Sequence, residues 1–180
     1  MKKSRNSLLA SSIGVALVFG ATQGRLAHGA SDASMADKYF VSEALKGGMA
    51  EVEMGQLAAD KGSSEDVRKF GKKMVTDHTK LGDQMKEVAS QIGVTPPTSP
   101  TMVQQVEIKK LKGLDAAHFD EEYIKEMVKD HQSDLKDFKK EADSGTSATV
   151  KQAASQGADM VSHHLMMIRE IAKAHSISGE

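Results

Sequence analysis

Three breaks rich in glycine, serine or proline divide most of this chain into four long segments, and each segment repeats its apolar residues at helical spacing. The breaks are Gly62-Ser63-Ser64, the run from Gly93 to Pro100 with Pro96, Pro97 and Pro100, and Ser144-Gly145-Thr146-Ser147. Proline lacks the amide donor and glycine loses the most backbone freedom on ordering, so these runs stop helices. The spacing predicts helix A over 32–61, helix B over 65–92, helix C over 115–143 and helix D over 148–175. A short extra helix is expected around Val103, Val106 and Leu111, before Gly113. The helix B stripe is Val67, Phe70, Met74, Leu81, Met85, Val88 and Ile92, in steps of three, four or seven. Ser63 is the expected N-cap of helix B, with Asp66 in the capping-box position.

No window alternates as a strand does, and aromatic residues make up only 4% of the chain. Short A–B and C–D turns imply two antiparallel pairs, and the longer B–C link carries the chain between them. The expected fold is all-α, a ferritin-like four-helix bundle with a B–C crossover. An up-down-up-down bundle is the alternative, because a link of about twenty residues serves either topology.

The start of the chain reads as a leader. Lys2, Lys3 and Arg5 precede an apolar run from Leu8 to Ala21, followed by small and polar residues. At about 14 residues the run is shorter than a spanning helix needs. Cleavage is expected after Gly29 or Ala30, giving a signal peptide over 1–29 and one domain over 30–180. Retention of the segment as an anchor is the alternative, since Arg25 and His28 are unusual beside a cleavage site. The expected location is periplasmic or secreted, with no stable membrane span after cleavage.

Loss of Lys2, Lys3, Arg5 and Arg25 with the leader takes the formal net charge from −1 to −5. That balance argues against nucleic acid as a partner. No protein partner can be named, and a homo-oligomer is left open. With no cysteine, neither disulfides nor thiol chemistry are available. No GxSxG, phosphate-binding glycine loop or HExxH occurs, so no catalytic or cofactor-binding residues are assigned.

Histidine supplies the functional clue. Met74-Val75-Thr76-Asp77-His78 returns as Met127-Val128-Lys129-Asp130-His131, and His163-His164 lies on helix D. At about 100° per residue, His131 and His164 fall near the centres of their apolar stripes. Asp77 and His78 flank the helix B stripe by roughly 50° on either side, so either or both can reach inward. On helix A, Glu51 sits in a face of small residues with Gly48, Gly55 and Ala58, whereas Glu53 looks solvated. A buried carboxylate needs a hydrogen-bond partner, a counter-charge or a metal.

The candidate metal ligands are therefore Glu51, His78, His131 and His164, one per helix. Asp77 and Asp130 are possible extra members of the metal site, and either could fix a histidine tautomer from behind. Such a set suits zinc, copper, iron or manganese. The competing expectation is a metal-free network of buried His, Asp and Glu that sets helix register. His163 and His118 are expected at the surface, and His175 beside the helix D dipole. Met166-Met167 next to the histidine pair hints at copper, against the plainer reading that methionine fills gaps between helices.

The stretches Gly47-Gly48-Met49-Ala50-Glu51-Val52-Glu53-Met54-Gly55-Gln56-Leu57-Ala58, Phe70-Gly71-Lys72-Lys73-Met74-Val75-Thr76-Asp77-His78 and Met127-Val128-Lys129-Asp130-His131, with a late His164-Leu165, resemble the bacterial exported family of domain of unknown function 4142. The resemblance spans about Asp37 to His175. It implies a ferritin-like four-helix fold and an exported location, and members are often labelled periplasmic or outer-membrane proteins. It brings no established activity. A di-iron reading by analogy meets an obstacle: the residues three before His78, His131 and His164 are Val75, Val128 and Val161, where that chemistry wants glutamate. The expected role is metal binding or stress protection in the cell envelope; the alternative is a metal-free structural or interaction module.

Overall fold

The computed structural model describes residues 33–178, so the leader and its cleavage site lie outside the described residues. Five helices follow one another: α1 (Met35–Lys61), α2 (Glu65–Ile92), α3 (Met102–Gly113), α4 (Ala116–Ser144) and α5 (Ala148–Ala174). No strand occurs among the described residues. Helix α1 begins at Met35 rather than at 32 because Ser34 and Asp37 form a reciprocal cap. The Asp37 amide donates to Ser34 Oγ, and the Ser34 amide donates to Asp37 Oδ2 at 2.6 Å. Helix α3 starts with a similar box between Thr101 and Gln104.

The start of α2 departs from the expected cap. Ser64, not Ser63, is the N-cap, and it makes no side-chain capping bond. The acceptor comes from α4. The Asp120 carboxylate takes the Ser63 amide at 2.9 Å, the Ser64 amide at 2.8 Å and the Ser64 hydroxyl at 2.7 Å. A carboxylate with two oxygens satisfies both orphan donors and also fixes the α1–α2 turn to the start of α4. Asp66 turns instead to His175, 3.0 Å away at the end of α5.

These ties establish the topology. The α1–α2 turn meets the start of α4 and the end of α5, whereas the start of α1 meets the α4–α5 turn through Thr146, whose amide donates to Asp37 at 2.9 Å. Helices α1 and α5 therefore run one way, and α2 and α4 the other. The link after α2, with α3 inside it, carries the chain back along the bundle to start α4. This is the crossover arrangement, not up-down-up-down. Each helix packs mainly on antiparallel neighbours: α1 on α2 and α4, and α5 on α2 and α4.

Glycines set the helix spacing at two places. A Cβ on Gly55 would lie 2.9 Å from the Gly71 carbonyl oxygen, and one on Gly71 would lie 2.6 Å from that of Gly55, so α1 and α2 touch backbone to backbone. On the other hairpin the Phe138 ring stands over Gly157, where a Cβ would come within 2.1 Å of it.

The apolar core is split. One cluster, towards the α1–α2 turn, holds Met54, Phe70, Met74, Tyr123, Met127 and Ile168. The other, towards the α4–α5 turn, holds Val41, Leu45, Leu81, Met85, Phe138 and Val150. Met54, Met74, Met85 and Met127 are all buried, in keeping with methionine as packing material. Between the two clusters lies a polar layer.

Candidate metal centre

The polar layer consists of Glu51, His78, His131 and His164, all buried. Each lies within about three residues of the middle of its helix, which is what brings four residues far apart in sequence to one height. The imidazoles enclose a small triangle. Ring centroids are 5.9 Å apart for His78 and His131, 5.4 Å for His78 and His164, and 5.6 Å for His131 and His164. One nitrogen from each histidine lies within 4.8 Å of the corresponding nitrogens of the other two.

Two of the three rings have an assignable tautomer. His131 Nδ1 lies 2.9 Å from the Met127 carbonyl oxygen, an acceptor only, so it carries the proton and leaves Nε2 as a lone pair. His164 Nε2 lies 2.8 Å from Asp77 Oδ2 and donates to it, leaving Nδ1 as a lone pair. Among the described residues neither lone pair has a partner, and neither His78 nitrogen has one. Asp77 stands half-buried at the rim, held also by Lys73 at 2.8 Å. Its pKa is low: burial works against ionisation, but the hydrogen bonds of Lys73 and His164 prevail.

Burial keeps the imidazoles neutral. The pKa of His131 is pushed down to about 3, first by burial and then by His164. His78 falls well below the ordinary value through burial and then through His131 and His164. His164 is lowered by burial despite the opposing pull of Asp77. Neutral imidazole is the form that ligates metals.

Glu51 is in the layer but not in the nitrogen triangle. Its Oε1 lies 3.8 Å from His131 Nδ1, beyond a hydrogen bond, and Oε2 has no protein partner. Burial raises its pKa well above the usual range, reinforced by Asp134, Asp130, Glu126 and Glu107. Tyr123, buried on α4 with Phe119, Ile124 and Met127, is a further polar neighbour. Its hydroxyl is buried without a partner, and its pKa is raised by burial and then by Glu51. The one sequence signal for it was a hydroxyl on an otherwise apolar stripe.

Asp130 does not reach a histidine. It joins Glu107 of α3 and Glu126 of α4 in a half-buried acidic group whose carboxylate oxygens lie within 4.8 Å of one another. Lys129 bridges Glu126 at 2.8 Å and Glu107 at 3.5 Å. The extra helix, whose charges the sequence left unplaced, creates this group. His163, His118 and Glu53 are exposed, as expected.

Residues 23–171 match the family described as domain of unknown function DUF4142. No curated protein is a match for the chain. Among solved structures, a DUF305 fragment from Deinococcus radiodurans is similar with a TM-score of 0.70 and 13% identity, covering 79% of this chain and 98% of that one. A DUF305 protein from Streptomyces coelicolor, provisionally described as secreted, is similar with a TM-score of 0.69 and 17% identity, covering 84% of this chain and 96% of that one. At such identities the likeness is one of fold.

Proposed function

The chain belongs to the DUF4142 family, whose function is unknown, and we propose that it is an exported protein that binds one transition-metal ion through His78, His131 and His164. The observation that carries this reading is three buried imidazoles clustered at one place, with ring nitrogens that no described residue satisfies. Around a tetrahedral ion with bonds of about 2.0–2.1 Å, ligand nitrogens stand roughly 3.3 Å apart. Nitrogens within 4.8 Å reach that spacing when each side chain moves by no more than about 1 Å. The Asp77–His164 pair and the Met127 carbonyl behind His131 are the orienting partners that metal-bound histidines ordinarily have.

Three imidazoles without thiolates suit zinc or copper best, and iron next. Glu51 is the nearest carboxylate. It becomes a fourth ligand if it gives up its proton and swings past His131; otherwise it remains the acid beside the ion. A register-setting network is the weaker reading, because such a network would pair its polar atoms internally. Here Glu51 Oε2, both His78 nitrogens, His131 Nε2 and His164 Nδ1 remain unpaired. The site lacks the glutamates of a di-iron centre, so no oxygen chemistry is assigned. Export is supported by the leader pattern, and no described helix is long and apolar enough to cross a membrane.

The test is elemental analysis of untagged protein from cells given supplemental metal, beside His78→Ala, His131→Ala, His164→Ala and Asp77→Asn variants. One ion per chain, lost in the three alanine variants and held 10–100-fold more weakly in Asp77→Asn, is the expected result. Wild-type protein that stays metal-free on reconstitution with zinc or copper would overturn the reading.

A further inference from the structure

A deep cleft of about 520 Å³ runs between α1 and α4 and ends on His78. Its opening is a consequence of composition. Gly47 and Gly48 line it at a point where α1 would otherwise present side chains. A Cβ on Gly48 would meet nothing within 4 Å, and one on Gly47 would meet only the end of the Gln104 side chain at 3.7 Å. Glycine inside a helix costs about 1 kcal/mol each relative to alanine. Neither glycine is needed for helix packing, unlike Gly55 and Gly71. What the pair provides is open space above His78.

The walls carry a charge. Asp37, Glu43, Asp134, Asp137 and Glu141 line the cleft; Lys140 lines it as the opposing cation, and Lys46 pairs with Glu43 at 2.8 Å. Water occupies roughly 30 Å³ per molecule, so the cleft volume exceeds the roughly 180 Å³ of an ion with six waters. A second depression also reaches His78, on the opposite flank of α1, beneath Pro96, Pro97 and Pro100. Its charged lining is Glu53 and Lys86, which offer no net attraction for a cation.

His78 differs from its two partners. His131 and His164 each have one nitrogen tied to a fixed acceptor, whereas both nitrogens of His78 are unbonded. It is also the member of the triad that lines the cleft. Building on the metal reading above, we propose that the acidic cleft between α1 and α4 is the path by which a hydrated cation reaches the triad, and that His78 is the ligand that takes it in. The acidic walls raise the local cation concentration and the on-rate, while His131 and His164 stay in place as the receiving pair.

The two flanks can be blocked separately, using full-length chain expressed and recovered untagged, then stripped of metal. Loading of zinc would be followed by stopped flow with a chromophoric zinc indicator, and equilibrium affinity by competition with the same indicator. Gly47→Leu fills the α1–α4 cleft and Gly82→Leu fills the other depression, where a Cβ on Gly82 meets nothing within 4 Å. The expected result is zinc uptake at least tenfold slower in Gly47→Leu, unchanged in Gly82→Leu, with equal affinity in both. At pH 8.5, where Asp134 is ionised although burial raises its pKa to about 7, Asp134→Asn should slow uptake several-fold at low salt and flatten its dependence on ionic strength. Equal uptake rates in wild type and Gly47→Leu, or slowing confined to Gly82→Leu, would overturn the path while leaving the triad intact. Failure of the wild type to take up zinc at all would overturn the path and count against the metal reading. A uniform loss of affinity in Gly47→Leu, with no separate effect on rate, would also overturn the path.

Discussion

Replacing Gly71 with alanine should separate α1 from α2, and the cost can be read from the structure. The new Cβ would stand 2.6 Å from the Gly55 carbonyl oxygen, 2.7 Å from the Ala59 amide nitrogen and 2.8 Å from Ala58 Cβ. None of these atoms belongs to a flexible side chain. Ordinary contact begins near 3.4 Å, so the two helices must part by about 0.8 Å locally. Overpacking of this kind costs about 1–3 kcal/mol, and three rigid contacts place it near the upper end. Alanine returns about 1 kcal/mol of helix propensity. Gly82 lies in the same helix and offers an internal control, because its Cβ would meet nothing within 4 Å. Gly82→Ala should therefore stabilise by up to about 1 kcal/mol, and Gly71→Ala should destabilise by about 2. Propensity cancels between the two, so their difference of about 3 kcal/mol isolates the backbone contact. For a domain of this size that amounts to a gap of roughly 6–12 °C in Tm. Thermal melts by circular dichroism, with urea midpoints as a second measure, would test it. Equal midpoints for the two variants would refute the claim that backbone contact sets the α1–α2 spacing.

Two further substitutions follow from the carboxylates. The pKa of Asp130 is raised from 3.8 to about 7 by burial, then by Glu126, Glu107 and Asp134, against Lys129. A folded pKa above the unfolded one means that the contribution of Asp130 to stability falls as pH rises from about 4 to 7 and is level on either side. Asp130→Asn escapes this loss, so its advantage should grow across that window to roughly 2 kcal/mol, allowing for solvent screening. Urea midpoints at pH 4, 5.5 and 7.5 would show it, and a constant offset would contradict it. Asp120→Ala strips the acceptor from the Ser63 and Ser64 amides and should cost about 2–3 kcal/mol, visible in a thermal melt; an unchanged Tm would mean that the turn finds other acceptors.

The helices were legible because glycine, serine and proline punctuate a strong 3.6-residue pattern, and α2 falls on the expected residues throughout. The crossover was only half legible. Link length permits either topology, and what decides it are ties such as Asp120 to Ser63 and Ser64, which join residues nearly sixty positions apart. For the same reason Ser63 looked like a cap: capping patterns are local, while the acceptor came from another helix. His131 and His164 could be placed inward from helical phase alone. Their common height with His78 could not, since phase fixes a direction around each axis and says nothing of the relative slide of helices. Asp77 was ambiguous by phase and proves to point across to α5. Tyr123 is not marked by the pattern, because an aromatic ring at helical spacing reads as core whatever its hydroxyl meets. Gly48 shares a small-residue face with Gly55, yet of the two only Gly55 meets a neighbouring backbone; Gly48 borders open space.

The mid-helix position of the polar layer has an electrical consequence. His78 is 13 residues from the first residue of α2 and 14 from the last, so roughly 20 Å of helix separates it from either end. The partial charges of helix termini fade within a turn, and antiparallel neighbours oppose one another's dipoles besides. The centre of the bundle is thus a place of little backbone field. Whatever charge is introduced there must be balanced by side chains, and those nearest to hand are Asp77, hydrogen-bonded to His164 and held low in pKa, and the buried Glu51, whose pKa is raised well above the usual range. A cation arriving in the layer would pull the Glu51 pKa back down and favour loss of its proton.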